Sequence, residues 1–109
     1  MAAPLPDATP LRPGLFRGCG PALTADLHAL GITCVGEVRR AEPDELYATL
    51  CRLSGPQDIC VLDQLRCVVE QARDPACPPG RRDWFWWSRR RKADDVPPLS
   101  PVPEASHER

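Results

Sequence analysis

Two glycines separated by one residue, Gly18 and Gly20, stand directly before a proline in the segment FRGCGPAL. Glycine adopts backbone conformations that other residues avoid, and it lets a ligand approach the backbone closely. A turn of this kind at the start of a helix aims several N–H groups at one anion, and the helix dipole adds partial positive charge. The predicted phosphate contacts are the backbone amides of Gly18, Gly20, Ala22 and Leu23 and the side chain of Arg17. The same turn also packs helices together without binding a ligand, and this alternative stays open.

A second segment that could bind nucleic acid is RRDWFWWSRRRK, residues 81–92, which contains all three tryptophans and has a net charge of +5. Aromatic faces stack on unpaired bases, while neighbouring cations neutralise phosphates. Because the rest of the chain has few large side chains, the tryptophans are also expected to fold inward, with the cations outward. The cations predicted to contact phosphate are Arg81, Arg82, Arg89, Arg90, Arg91 and Lys92.

Six cysteines could bind metal or form disulfides, but their successive separations of 15, 17, 9, 7 and 10 residues contain no C-x-x-C pair. We predict free thiols that pack as small hydrophobic side chains. A zinc site built from Cys51, Cys60 and Cys67 is the alternative, and redox sensing is a third. No cofactor is predicted.

Catalytic chemistry has little support in the sequence. His28 lies in a predicted helix without a partner at catalytic spacing, and His107 lies in the C-terminal tail. The acids of the segment EPDE, residues 42–45, are explained by a helix start, where negative charge is stabilising. We therefore expect neither an enzyme nor a small-molecule substrate.

Composition divides the 109 residues into three parts. Residues 1–14 and 93–109 are rich in proline and are predicted to be a disordered leader and a disordered acidic tail. One compact domain is expected over residues 15–92. No apolar run approaches a membrane span, and the N-terminus has no secretory signal, so we expect a cytoplasmic protein without a membrane partner.

Leucines at helical spacing define the elements of the expected domain. The first helix should start at Pro21 and end at Gly31, after a short helix that precedes the glycine turn. Thr33 is expected to cap a second helix, and Pro43 to open a third. The fourth and longest should cover residues 59–73. With no alternating pattern, we predict an all-α domain of four to five short helices.

One side of the fourth predicted helix is polar. Asp63, Arg66, Glu70 and Arg73 recur at positions i, i+3, i+7 and i+10. Such spacing favours ion pairs within the helix. Most of the remaining circumference is apolar, so this helix should be the central one.

The hydrophobic and glycine pattern from Phe16 to Ile32 resembles a helix-hairpin-helix motif. The order of GCGPALTADLHALGI, EPDELY, DICVLDQLRCVV and the tryptophan cluster resembles the bacterial pathogenicity-locus family. Its members are often labelled mitomycin-resistance proteins. The resemblance implies a helix-hairpin-helix fold and a DNA-linked role, without a catalytic residue.

The sequence thus predicts an accessory protein of DNA repair, recombination or uptake that binds DNA without sequence preference. Affinity would come from the hairpin amides and the basic C-terminal segment. The alternative is a protein–protein interaction module with the same fold. The net charge of −3 over residues 15–80 favours the alternative, and the +5 segment favours DNA.

Overall fold

The structure of the protein is a computed structural model, which describes residues 4–103. Its elements are α1 (Pro21–Ala29), α2 (Val35–Arg40), α3 (Pro43–Ser54), α4 (Cys60–Arg73), a 3-10 helix (Pro79–Arg82) and α5 (Trp84–Lys92). No strand occurs between residues 4 and 103. The prediction of an all-α domain of four to five short helices is confirmed, since the structure has five α-helices in this range. None of these helices has both the length and the apolar character needed to cross a membrane.

The predicted boundaries of the helices hold to within about two residues, and one predicted cap is wrong. Gly31 takes φ +82° and ends α1 as expected. The N-cap of α2 is Cys34 and not Thr33. Thr33 instead donates from its backbone N–H and its hydroxyl to Glu37 Oε1, at 2.7 and 3.2 Å. The acid in the first turn of α2 thus reaches back over the helix start, as in a capping box.

Helix α4 is the central element, as its apolar circumference predicts. It contacts α2, α3, the 3-10 helix and α5. The residues of α4 in the main apolar core are Leu65, Val68, Val69 and Ala72. They pack with Phe16 and with residues of α1 and α2, so the glycine turn rests on the same core.

The polar side of α4 is buried, which corrects the expectation of ion pairs within the helix. Asp63 and Glu70 have no exposed surface, and Arg73 is 7% exposed. Only Asp63 and Arg66 pair within the helix, at 3.8 Å. Buried charges require partners, and α4 takes them from other elements: Asp63 from α5, Glu70 from the 3-10 helix.

The described part of the N-terminal segment, residues 4–14, packs against the domain, although its proline content predicts disorder. Leu11 is 5% exposed and belongs to the main core. The backbone runs extended beside the start of α2, where Leu11 N–H donates to Thr33 O at 3.0 Å and Val35 N–H to Thr9 O at 2.9 Å. Asp7 pairs with Arg39 and Arg40. The prolines favour an extended backbone in this segment, and Leu11 and Asp7 hold it on the domain.

The described part of the tail, residues 93–103, also contacts the domain. Leu99 packs against the main core, and the backbone of Ser100 hydrogen-bonds to α4. The composition of this segment predicts disorder, because composition is an average that is insensitive to the packing of one leucine, Leu99. His107 lies outside the described residues.

Candidate functional site

The glycine turn belongs to a compact hairpin, which consists of residues 13–21. Residues 13–18 form turns and not the short helix predicted before the hairpin. Gly14 N–H donates to Cys19 O at 3.0 Å, and Cys19 N–H to Phe16 O at 3.2 Å. Pro13 and the positive φ of Gly14 and Gly18 are incompatible with a continuous helix at this point.

A glutamine of α4 holds this hairpin in place. Gln71 Oε1 accepts from Arg17 N–H at 3.0 Å, and Gln71 Nε2 donates to Arg17 O at 2.8 Å. Both backbone groups of one turn residue are thereby paired with one side chain, 54 residues along the chain. Sequence reasoning missed Gln71, although an amide within an apolar helix was a usable signal.

The predicted amide donors lie together and have no acceptor. The N–H groups of Gly18, Gly20, Ala22 and Leu23 make no hydrogen bond with another described residue. The first turn of α1 contains no acid, and Arg17 is exposed. Hairpin residues 13–21 line a shallow depression of about 570 Å³. Gly18, Gly20 and Ala22 are exposed, whereas Leu23 is buried. The arrangement therefore presents three exposed residues with free N–H groups and a cation to solvent at a helix N-terminus, which suits an anion.

The two glycines of the hairpin have different roles. Gly18 takes φ +81°, in the left-handed region that favours glycine. Gly20 takes φ −86° and ψ −166°, and a Cβ there would meet nothing within 4 Å. A β-branched residue at position 20 is therefore compatible with the backbone of the hairpin. Of Gly18 and Gly20, only Gly18 has a backbone conformation that requires glycine.

The basic segment, residues 81–92, has fewer unpaired cations than its sequence suggests. Arg91 makes a bidentate pair with Asp63, from Nε at 3.0 Å and from an Nη at 2.9 Å. The hydrogen bonds to Asp63 raise the pKa of Arg91 above the ordinary value of an arginine. Arg81 pairs with Glu70 at 3.2 Å and lies over the rings of Trp86 and Trp87. Both arginines compensate buried carboxylates of α4.

Two further arginines of this segment bind within the domain. Arg82 donates to Cys77 O at 2.9 Å. Arg90 pairs with Asp95 at 2.8 Å and stacks over Trp86 at 4.7 Å. Arg89 and Lys92 are exposed and form no ion pair with a described residue. Of the six predicted cations, these two are the ones open to an external anion.

The aromatic residues divide between the core and the surface. Trp87 is fully buried, and its Nε1–H donates to Arg81 O at 2.9 Å. Phe85 is 55% exposed and stacks on Trp84 with ring centroids 4.0 Å apart. The Trp84 ring also lies beside Gly18, so the start of α5 adjoins the hairpin. Arg89 and Lys92 lie about 8 and 12 Å further along α5.

All six cysteines are free, as predicted. Cys19, Cys67 and Cys77 are buried, and burial raises the pKa of the Cys67 thiol to about 12. Burial is also the main cause that raises the pKa of Cys19 and Cys77. Among residues 4–103, no group of three or more histidine, cysteine or acidic side chains is arranged to hold a metal ion.

The thiols provide a direct check on this packing. In native protein at pH 8, we expect a disulfide reagent to leave Cys19, Cys67 and Cys77 unmodified, because the thiolate is the reactive form and is scarce at a raised pKa. All six should react in guanidinium chloride. Mass spectrometry of the labelled peptides identifies the sites, and rapid native labelling of Cys67 would contradict its burial.

The fold and the hairpin define a small all-helical domain with an anion-suited turn at the start of α1. The model of the pathogenicity-locus family matches residues 16–93, from the hairpin to the end of α5. The chain belongs to the pathogenicity-locus family. Comparison with curated proteins and with solved structures found no match.

Proposed function

We propose that the protein is an accessory factor that binds DNA without sequence preference, in repair, recombination or uptake. The observation that carries the proposal is the set of four hairpin amides without an acceptor, with Arg17 beside them. We also propose that the fold is a helix-hairpin-helix fold and that the protein is linked to mitomycin resistance. Six free thiols favour a reducing compartment, and we propose the cytoplasm on that ground.

The proposed contact surface consists of the hairpin and the exposed cations of α5. The hairpin holds one backbone phosphate through N–H groups, which positions the DNA without reading its sequence. Arg89 and Lys92 contact phosphates of the same strand about two to four nucleotides away, given roughly 3.4 Å per nucleotide. Arg81 and Arg91 contribute by fixing α5 on the domain, because their charges are already paired.

Fluorescence anisotropy with a labelled duplex in a salt series tests the proposal. We expect micromolar or tighter binding at low salt that weakens with a slope near −0.9 per phosphate contacted. Gly20→Val should weaken binding roughly tenfold or more, because its methyl groups obstruct the amides while the backbone at position 20 tolerates a side chain. Unchanged affinity in a folded Gly20→Val protein would remove the hairpin from the site.

The charge contribution is tested by Lys92→Glu, with Arg52→Glu as the matched control. Both residues are exposed, and Arg52, on α3, bonds only to Thr49. Lys92→Glu should lower both the affinity and the salt slope, because a phosphate contact is lost and a repulsion is added. Arg52→Glu should change them little. Equal effects of the two variants would indicate a response to net charge only.

A protein-interaction module is the second candidate, and Phe85 favours it. An exposed aromatic ring stacked on a second ring is an unusual surface feature for a protein that binds only phosphates. No DNA binding even at low salt would support this candidate. Phe85→Ala should then abolish capture of the partner while leaving the domain folded.

A further inference from the structure

The C-terminal segment of residues 96–100, which we call the strap, lies in a groove of the domain. The strap and residues of α3 and α4 enclose a cavity of about 440 Å³. The residues that line it are Glu42, Pro43, Asp44, Arg66 and Arg73 from the domain and Val96, Pro97, Pro98 and Leu99 from the strap. The strap therefore covers the groove without filling it.

A buried carboxylate anchors the strap. Glu70 has no exposed surface. Its oxygens accept from Ser100 N–H at 2.8 Å and from the Ser100 hydroxyl at 2.7 Å, and the remaining partner is Arg81 at 3.2 Å. A buried carboxylate is stable only when it is paired and hydrogen-bonded. The strap thus supplies two of the three bonds that Glu70 receives.

Two arginines donate hydrogen bonds to backbone carbonyl groups of the strap. Arg73 donates to Ser100 O at 3.1 Å, and Arg81 donates to Pro98 O at 3.3 Å. Together with Glu70, they contact the N–H, hydroxyl and carbonyl groups of Ser100 and the carbonyl group of Pro98. The groove therefore recognises an extended backbone, a proline carbonyl, an aliphatic side chain and a hydroxyl.

A short hinge turns the strap back from α5. Asp94 has φ +55°, and no other described non-glycine residue has a positive φ. Asp95 N–H donates to Arg90 O at 2.8 Å, and the Asp95 carboxylate pairs with Arg90 at 2.8 Å. A single left-handed residue followed by an exposed ion pair separates the strap from α5, so the strap can detach without unwinding α5.

We propose that this groove is a docking site for extended, proline-containing chain segments, and that residues 96–100 occupy it as a releasable intramolecular latch. The consecutive prolines keep the strap extended before it binds, which lowers the entropy lost on docking. A segment of the same chemistry would displace the latch. The inference does not depend on DNA binding.

Full-length protein with Ser100→Asp tests the latch. A carboxylate at position 100 repels Glu70, so the strap should leave the groove. The probe is a fluorescent peptide with the sequence of residues 95–103, DVPPLSPVP. It should bind Ser100→Asp at least about tenfold more tightly than wild type, whose own strap competes at a high effective concentration. Val102→Glu is the matched control, since Val102 is 41% exposed, and it should behave like wild type.

Hydrogen exchange of the wild-type protein gives a second readout that needs no variant. The amides of Leu99 and Ser100 should exchange more slowly than in the free peptide and faster than the amides of α4. Exchange as fast as in the free peptide would show that the strap does not dock. Exchange at the rate of α4 would make it part of the core, and failure of folded Ser100→Asp to bind the peptide would remove the docking site. Unfolding of Ser100→Asp would also overturn the latch, which must open while the domain stays folded.

Discussion

Trp87→Ala is expected to destabilise the domain by about 3–5 kcal/mol. The indole is fully buried, donates to Arg81 O of the 3-10 helix, and packs edge-to-face on Trp86 with ring centroids 5.0 Å apart. Its removal leaves a cavity and an unpaired carbonyl at Arg81. For a domain of this size, the melting temperature should fall by roughly 15 °C or more, measured by circular dichroism.

Phe85→Ala is the control for this prediction, because it removes an aromatic ring from the same helix two residues away. Phe85 is 55% exposed and stacks on Trp84. Its loss should change the free energy of unfolding by less than about 1 kcal/mol. Similar losses for both variants would mean that α5 does not bury its Trp87 side as described.

Arg73→Met should lower the free energy of unfolding by about 3 kcal/mol. The Arg73 side chain donates to Arg39 O at 2.9 Å and to Ala41 O at 2.7 Å, and it pairs with Glu42 at 3.0 Å. Methionine fills much of the volume but leaves these carbonyls without donors in a buried site. Urea denaturation measures the change.

Two comparisons separate loss of this network from loss of charge. Arg73→Lys should recover only part of the stability, because an ammonium group cannot reproduce the fork of the guanidinium. Arg52→Met removes an exposed arginine of α3 and should change stability by less than about 0.5 kcal/mol. A full recovery by lysine would show that one charge is sufficient at this position.

Local sequence signals predicted the helices well. Pro21 and Pro43 mark helix starts, and Gly31 and Gly55 follow helix ends with φ +82° and +87°. These residues restrict their own backbone, so their effect does not depend on the rest of the fold. The same local restriction allowed the sequence to predict the position of the glycine turn. The sequence did not predict which glycine is essential, because Gly18 has a positive φ whereas Gly20 adopts an ordinary conformation.

The partners of charged residues could not be read from spacing. Asp63 and Arg66 stand three residues apart, yet the bidentate partner of Asp63 is Arg91, 28 residues away. Ion pairing in α4 depends on which elements pack over its polar side, and this packing is a property of the whole chain. The sequence therefore overestimated the basic surface of α5 and did not predict Gln71 as the residue that holds the hairpin.

The sequence by itself determined the helical class, the helix ends, the central position of α4 and the location of the amide-rich turn, because proline, glycine and apolar periodicity act locally. Only the tertiary structure decided that the described terminal segments pack on the domain. It also decided that four of the six cations in residues 81–92 bind within the protein. The pairs of Arg81 and Arg91 depend on burial, since the carboxylates of Glu70 and Asp63 are removed from water and require partners from other elements of the fold.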